Sequence, residues 1–133
     1  MTQKLLLLSI FAAALLLTSV PVLAHHGAAE YDNTKSISVQ GTVTEVKYVN
    51  PHVLILFTAK DDKGQAVEWT AESQSPNLLS RRGWSRSTLK PGDQITVTGH
   101  PVKNGVPAMS TQKIVFADGR ATPDMGLPRD SVK

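Results

Sequence analysis

Two kinds of apolar patterning divide the chain. From Leu5 to Leu17 apolar and small residues run without a break except at Ser9, and no polar alternation interrupts them. From Ser36 onward the pattern changes to a period of two. Ile37, Val39, Gly41 and Val43 alternate with Ser38, Gln40 and Thr42, which predicts a half-buried strand. The alternation then slips by one position to Val46 and Tyr48. A bulge near Thr44-Glu45 accounts for the slip, and Gly41 permits a sharp bend. A long, bent first strand is what a small closed barrel needs.

Asn50-Pro51 marks a turn. Val53, Leu54, Ile55, Leu56 and Phe57 then follow in succession between His52 and Thr58. Such continuous apolarity predicts a strand covered on both faces, by the N-terminal arm or by a partner. Asp61-Asp62-Lys63-Gly64 is hairpin chemistry. In the third strand Val67, Trp69 and Ala71 share one face, Glu68, Thr70 and Glu72 the other, and Trp69 is expected in the core. A short helix is well punctuated by Ser75 as cap, Pro76 in the first position and Gly83 at the end. Leu78 and Leu79 are its core contacts, while Arg81 and Arg82 suit the negative end of the helix dipole. After Leu89-Lys90-Pro91-Gly92-Asp93 a fourth strand carries Ile95, Val97 and Gly99 inward. Lys103-Asn104-Gly105 turns the chain into a fifth strand from about Ala108 to Ala117. Three strands, a short helix and two strands is the order of a five-stranded, OB-like Greek-key barrel, so the fold class is all-β with one short helix.

The first segment reads as an address. Lys4, the apolar run, Pro21 and the small residues Val22 and Ala24 form the three-part pattern of a secretory signal peptide. The run is shorter than the roughly 20 residues a membrane-spanning helix needs. Cleavage after Ala24 makes His25 the first residue, with no membrane anchor left and a periplasmic or secreted location. The chain then divides into a leader (1–24), an arm (25–35), a barrel (36–119) and a tail (120–133) rich in proline and glycine, expected to stay loose.

Charge and composition narrow the chemistry. The 133-residue chain contains no cysteine, which removes disulfides, thiolate metal sites and thiol catalysis together. Lys and Arg number 14 against 11 Asp and Glu; losing Lys4 with the leader leaves 13 against 11, a net of +2. That small excess, with only 5% aromatic residues, argues against the basic, stacking groove of a nucleic-acid binder. The sequence has no G-x-S-x-G, H-E-x-x-H or phosphate-cradling glycine loop, and no enzymatic activity is expected. Asp61 and Asp62 are turn residues, and Asp93 serves the turn before the fourth strand.

The ordered set of motifs resembles one family of exported proteins, domain of unknown function 6152. The matching pieces are Ala24-His25-His26-Gly27, Glu30-Tyr31-Asp32, Gly41-Thr42-Val43-Thr44-Glu45-Val46 and Asn50-Pro51-His52. Ser75-Pro76-Asn77-Leu78-Leu79, Arg82-Gly83-Trp84, Leu89-Lys90-Pro91-Gly92-Asp93 and Asp118-Gly119-Arg120 complete them. The resemblance implies an exported single domain and brings no activity with it.

Two site hypotheses follow from the residues. A new terminus at His25 can chelate a metal ion through its α-amine and its own imidazole, and a further imidazole would complete a nitrogen-rich plane of the kind Cu(II) favours. His25, His26 and His52 are the candidate ligands. Strand order places His100 near the root of the arm, but the motif around Asn50-Pro51-His52 favours His52. The arm's ten or so residues span up to ~35 Å extended, enough to run along the first strand to His52. The plain alternative is a solvated terminus and a histidine bonded to backbone at the turn. The second hypothesis is a protein- or peptide-interaction module. It would use the second-strand surface (Val53, Ile55 and Phe57, or Leu54 and Leu56) with a basic groove of Arg81, Arg82 and Arg86 around Trp84 as anchor. Its alternative is a tryptophan packed under the barrel beside solvated arginines.

Overall fold

The computed structural model describes residues 30–125. Five strands are formed by Ile37–Lys47 (β1), Leu54–Lys60 (β2), Ala66–Glu72 (β3), Gln94–Pro101 (β4) and Ala108–Phe116 (β5), with one helix, Pro76–Arg81 (α1), between β3 and β4. They close into a barrel in the order β1-β2-β3-β5-β4 and back to β1. All pairings are antiparallel except β3 with β5. This is the OB-like, all-β barrel that the order of elements predicts. Among the described residues no helix is long and apolar enough to cross a membrane.

β1 closes the barrel because it serves two neighbours. Its first half, Ile37 to Thr42, pairs with β4, and Gly41 to Lys47 pairs with β2. The hand-over occurs at Gly41, where an added Cβ would lie 2.5 Å from the Thr58 carbonyl oxygen and 2.7 Å from the Phe57 ring. Only glycine lets the strands approach so closely. The register shifts between Val43 and Glu45, the bulge expected from the slipped alternation. A second shift lies at Thr98/Gly99, where a Cβ on Gly99 would collide with the Ser110 carbonyl.

The inward residues of every strand meet in one core, with Val43, Ile55, Phe57, Ile95, Val97, Met109 and Ile114 all buried. Each such side chain contributes about 1.5–3 kcal/mol by leaving water. Trp69 is only partly buried; it lies 6.4 Å from Phe57, ring centroid to centroid, at the margin of the core. Val53, just before β2, and Ile55 and Phe57 within it point inward, whereas Leu54 and Leu56 are half-buried on the outer face.

Helix α1 begins and ends as its sequence prescribes. The Leu78 N–H donates to the Ser75 hydroxyl at 3.3 Å, and Pro76 occupies the first turn. At the other end Gly83 takes φ +91°, its N–H bonds the Ser80 carbonyl, and the Trp84 N–H bonds that of Leu79. This is a Schellman stop, with the buried Trp84 and Leu79 as its apolar pair.

The expectation of a loose tail from residue 120 is corrected as far as residue 125. Ala121 bridges to Val115, the Thr122 N–H donates to the Ile114 carbonyl at 3.1 Å, and Met125 is only 2% exposed. The physical reason is demand from the barrel. The free side of β5 needs donors for its carbonyls, and the buried Trp84 needs a partner for its indole N–H, which it finds in the Pro123 carbonyl at 2.8 Å. Residues 126–133 of the tail, the leader (1–24) and residues 25–29 of the arm lie outside the described residues.

Candidate functional site

Glu72, the last residue of β3, divides its carboxylate between two partners. One oxygen, Oε1, is paired with His52 Nδ1, and the other, Oε2, accepts from the Tyr31 hydroxyl at 2.6 Å. Each residue arrives by a different route. The hairpin register sets Leu54 opposite Glu72, so His52, two residues before Leu54, falls beside the same carboxylate. The Asn50–Pro51 peptide just before it is cis. Tyr31 comes from the described part of the arm, residues 30–35, which does not run along β1. It crosses instead to the β4–β5 connection, where Tyr31 bridges to Val102, Asp32 N–H donates to the Pro101 carbonyl at 2.8 Å, and Lys103 N–H donates to the Glu30 carbonyl at 3.0 Å. For residues 30–35 this replaces the path along β1 that the arm's length would allow. Strand order had put the end of β4 beside the arm's root, and that contact carries the arm across.

The electrostatics are those of a partly shielded carboxylate. The Glu72 side chain is 22% exposed and that of His52 43%. Burial pushes the Tyr31 phenol well above its ordinary value of 10, assisted by its hydrogen bond to Glu72 and by the negative charge of Glu72 and Glu30. Among the described residues, no hydrogen bond reaches His52 Nε2. On the other side of Glu72 a cavity of about 360 Å³ lies beneath the arm, walled by Tyr31, Leu54, Val102, Val106 and Ala108. A larger open cleft of about 980 Å³ lies between the first half of β1 and the β2–β3 hairpin, over Val39, Ala59, Val67 and Trp69.

His100 is engaged elsewhere. Its Nδ1–H donates to the Lys35 carbonyl at 2.6 Å, and its Nε2 accepts from the Gln112 amide nitrogen at 2.9 Å. It therefore pins the root of the arm, where strand order places it. His52 and His100 are not brought together. Among the described residues, no three His, Cys, Asp or Glu side chains form a group able to hold a metal ion. His25 and His26 lie outside the described residues.

The groove expected around Trp84 needs a correction. Trp84 is 4% exposed and bonded to Pro123, so it packs under the barrel and presents no anchor to a partner. Arg82 pairs with Asp124 at 2.9 Å, Arg86 lies 5.4 Å over the Tyr48 ring, and Arg81 is exposed.

Sequence reasoning missed Tyr31 and Glu72 as site residues. The signal for Glu72 was present: counting outward from the Asp61–Gly64 turn sets the last outward acid of β3 beside His52. Tyr31 had no such signal, because its place depends on where the arm lands.

A small barrel with an acid-held histidine at the mouth of its second strand is thus the protein class that the fold and site define. Residues 13–110 match the family described as "Family of unknown function (DUF6152)", and the chain belongs to that family. No curated protein matches the chain.

Proposed function

We propose that this domain is exported and binds a transition-metal ion of the Cu(II) kind, with His25, His26 and His52 as its ligand residues. The observation that carries the reading is the pairing of His52 Nδ1 with Glu72. Histidines that ligate metals usually give their second ring nitrogen to a carboxylate, which fixes the tautomer and makes the free nitrogen more basic. Here that leaves Nε2 as the ligating atom. Cleavage after Ala24 supplies the other donors: the α-amine and imidazole of His25 close a chelate ring, and His26 offers one more imidazole. Tyr31 lies six positions after His25, up to ~20 Å of extended chain. Tyr31 is itself one carboxylate away from His52, so the reach is sufficient. A nitrogen-rich, thiolate-free set suits Cu(II), and uptake should weaken as acid protonates the imidazoles.

The test combines the mass of the processed protein with a Cu(II) titration followed by EPR. The expected result is a chain beginning at His25 that takes up one equivalent with a nitrogen-rich spectrum. One extra residue ahead of His25 should abolish that spectrum by blocking the amine, and His52→Ala should change it. Unchanged binding by the extended chain overturns the reading.

A further inference from the structure

The cleft of about 980 Å³ between the first half of β1 and the β2–β3 hairpin plays no part in the metal reading. Its floor is apolar. Val39, Ala59 and Val67 line it together with Trp69, whose ring is backed at 24° by that of Phe57. Contact with a fully buried neighbour holds the indole in place. The flank of the cleft is polar and uncharged. Ser38, Gln40 and Thr42 line it from β1 and Thr58 from β2, and no charged residue occurs from Ser36 to Thr44. The register carries this surface across to β4. Ser38 stands opposite Thr98, Gln40 opposite Thr96 and Thr42 opposite Gln94, and the Ser38 and Thr98 hydroxyls are 2.7 Å apart. Backbone groups add to the flank. Pairing of β1 with β2 stops at Gly41. The Val43 N–H and carbonyl both bond on the β4 side, so strand alternation turns those of Ser38 toward the cleft.

The walls select the ligand. Among the described residues that line the cleft, charge lies at the hairpin end, with Lys60 against Asp61 and Asp62. The Asp61 carboxylate serves its own turn by accepting the Lys63 and Gln65 N–H groups. A phosphate-bearing chain needs a basic track, which this balance does not supply. An acyl chain would leave the hydroxyl and amide flank without partners. A neutral sugar has the two surfaces that the cleft has. Its C–H face packs on an aromatic ring, and its hydroxyls exchange hydrogen bonds with Ser, Thr and Gln side chains, which both donate and accept. We propose that this cleft binds a neutral glycan chain, with Trp69 as the platform for one sugar ring and Ser38, Gln40 and Thr42 as hydrogen-bonding partners. The inference does not rest on the metal-binding reading, and either can fail alone.

The experiment uses the full protein and two uncharged probes: cellohexaose, an unsubstituted glucose chain, and chitohexaose, its N-acetylated amino-sugar counterpart. Hexagalacturonate is the anionic control. Binding is followed by indole fluorescence and by 1H–15N shifts at up to about 5 mM sugar, which reaches the weak end of specific binding. The chain has two tryptophans and Trp84 is buried, so the fluorescence change reports Trp69. At least one neutral probe should shift the Trp69 indole and the Ser38, Gln40 and Val67 amides, and leave the Trp84 indole and the His52 amide unmoved. The tighter of the two probes identifies the kind of chain. Trp69→Leu should weaken it by about tenfold or more and Gln40→Ala by about threefold. The proposal is overturned if neither neutral probe moves these signals, or if hexagalacturonate binds as tightly as they do. Parent-like binding by Gln40→Ala, or by a folded Trp69→Leu, overturns it too. A Ser- and Thr-rich extended peptide that shifts the Ser38 and Gln40 amides where the sugars do not would show strand addition at the β1 edge, and so also overturns it. Should Trp69→Leu fail to fold, the shift map and Gln40→Ala decide the matter.

Discussion

Met125→Ala tests whether the chain beyond β5 belongs to the core. The side chain is 2% exposed and meets the hydroxyl of the buried Ser73, which donates to its sulfur at 3.6 Å. Truncating a buried methionine to alanine costs about 2–5 kcal/mol, part lost transfer energy and part cavity. Met125 meets the core from a short segment beyond β5, so the lower half of that range is expected. For a domain of this size each kcal/mol moves Tm by roughly 4–8 °C, so a fall of ~10–20 °C should be seen. Urea unfolding should show a lower midpoint with an unchanged slope. Asp124→Ala is the internal control. Its carboxylate is 79% exposed and pairs with Arg82, and exposed pairs are worth about 0–1 kcal/mol. A Met125→Ala protein within ~0.5 kcal/mol of the parent, or a larger loss from Asp124→Ala than from Met125→Ala, would refute the docking of this segment.

Three further outcomes follow from the same geometry. Thr111 is fully buried in β5 and its hydroxyl has no hydrogen-bond partner among the described residues; Thr111→Val should raise stability by about 1 kcal/mol in urea unfolding, since an unpaired buried hydroxyl costs about 1–3 kcal/mol. Gly41→Ala should lose the cooperative transition by circular dichroism or express as insoluble protein, because the new methyl group meets the Thr58 carbonyl at 2.5 Å with no flexible neighbour to yield. Tyr31 gives a sign-defined pH effect: its folded pKa is raised, so the stability it contributes is intact below pH 10 and drains away as pH climbs above it, and Tyr31→Phe should flatten that alkaline loss in urea titrations.

Local chemistry made most of the barrel readable. The slipped alternation around Thr44 announced the bulge, Gly41 the bend, and Ser75-Pro76 with Gly83 both ends of the helix, because each of these is decided within a few residues. What depended on distant partners was not readable in the same way. Met125 is a single apolar residue with no periodic neighbours, and only the barrel's need to cover β5 and Trp84 explains its burial. Trp69 alternates like a core residue but sits where β1 and the β2–β3 hairpin diverge, so it is only half covered. His52 was found from its neighbours in sequence. Its acid came from a hairpin register and its tyrosine from an arm whose landing place no local pattern encodes.

The thinnest seam of the barrel is the parallel join of β3 to β5, a mere three residue pairs against six or seven at every other junction. Antiparallel ladders elsewhere will hold longer, so partial opening of the molecule should start by unzipping this short join. Glu72 is one of its teeth. The first breath of the barrel therefore parts Glu72 from the arm, which is bonded to the β4–β5 connection, while His52 stays with Glu72 through the β2–β3 pairing.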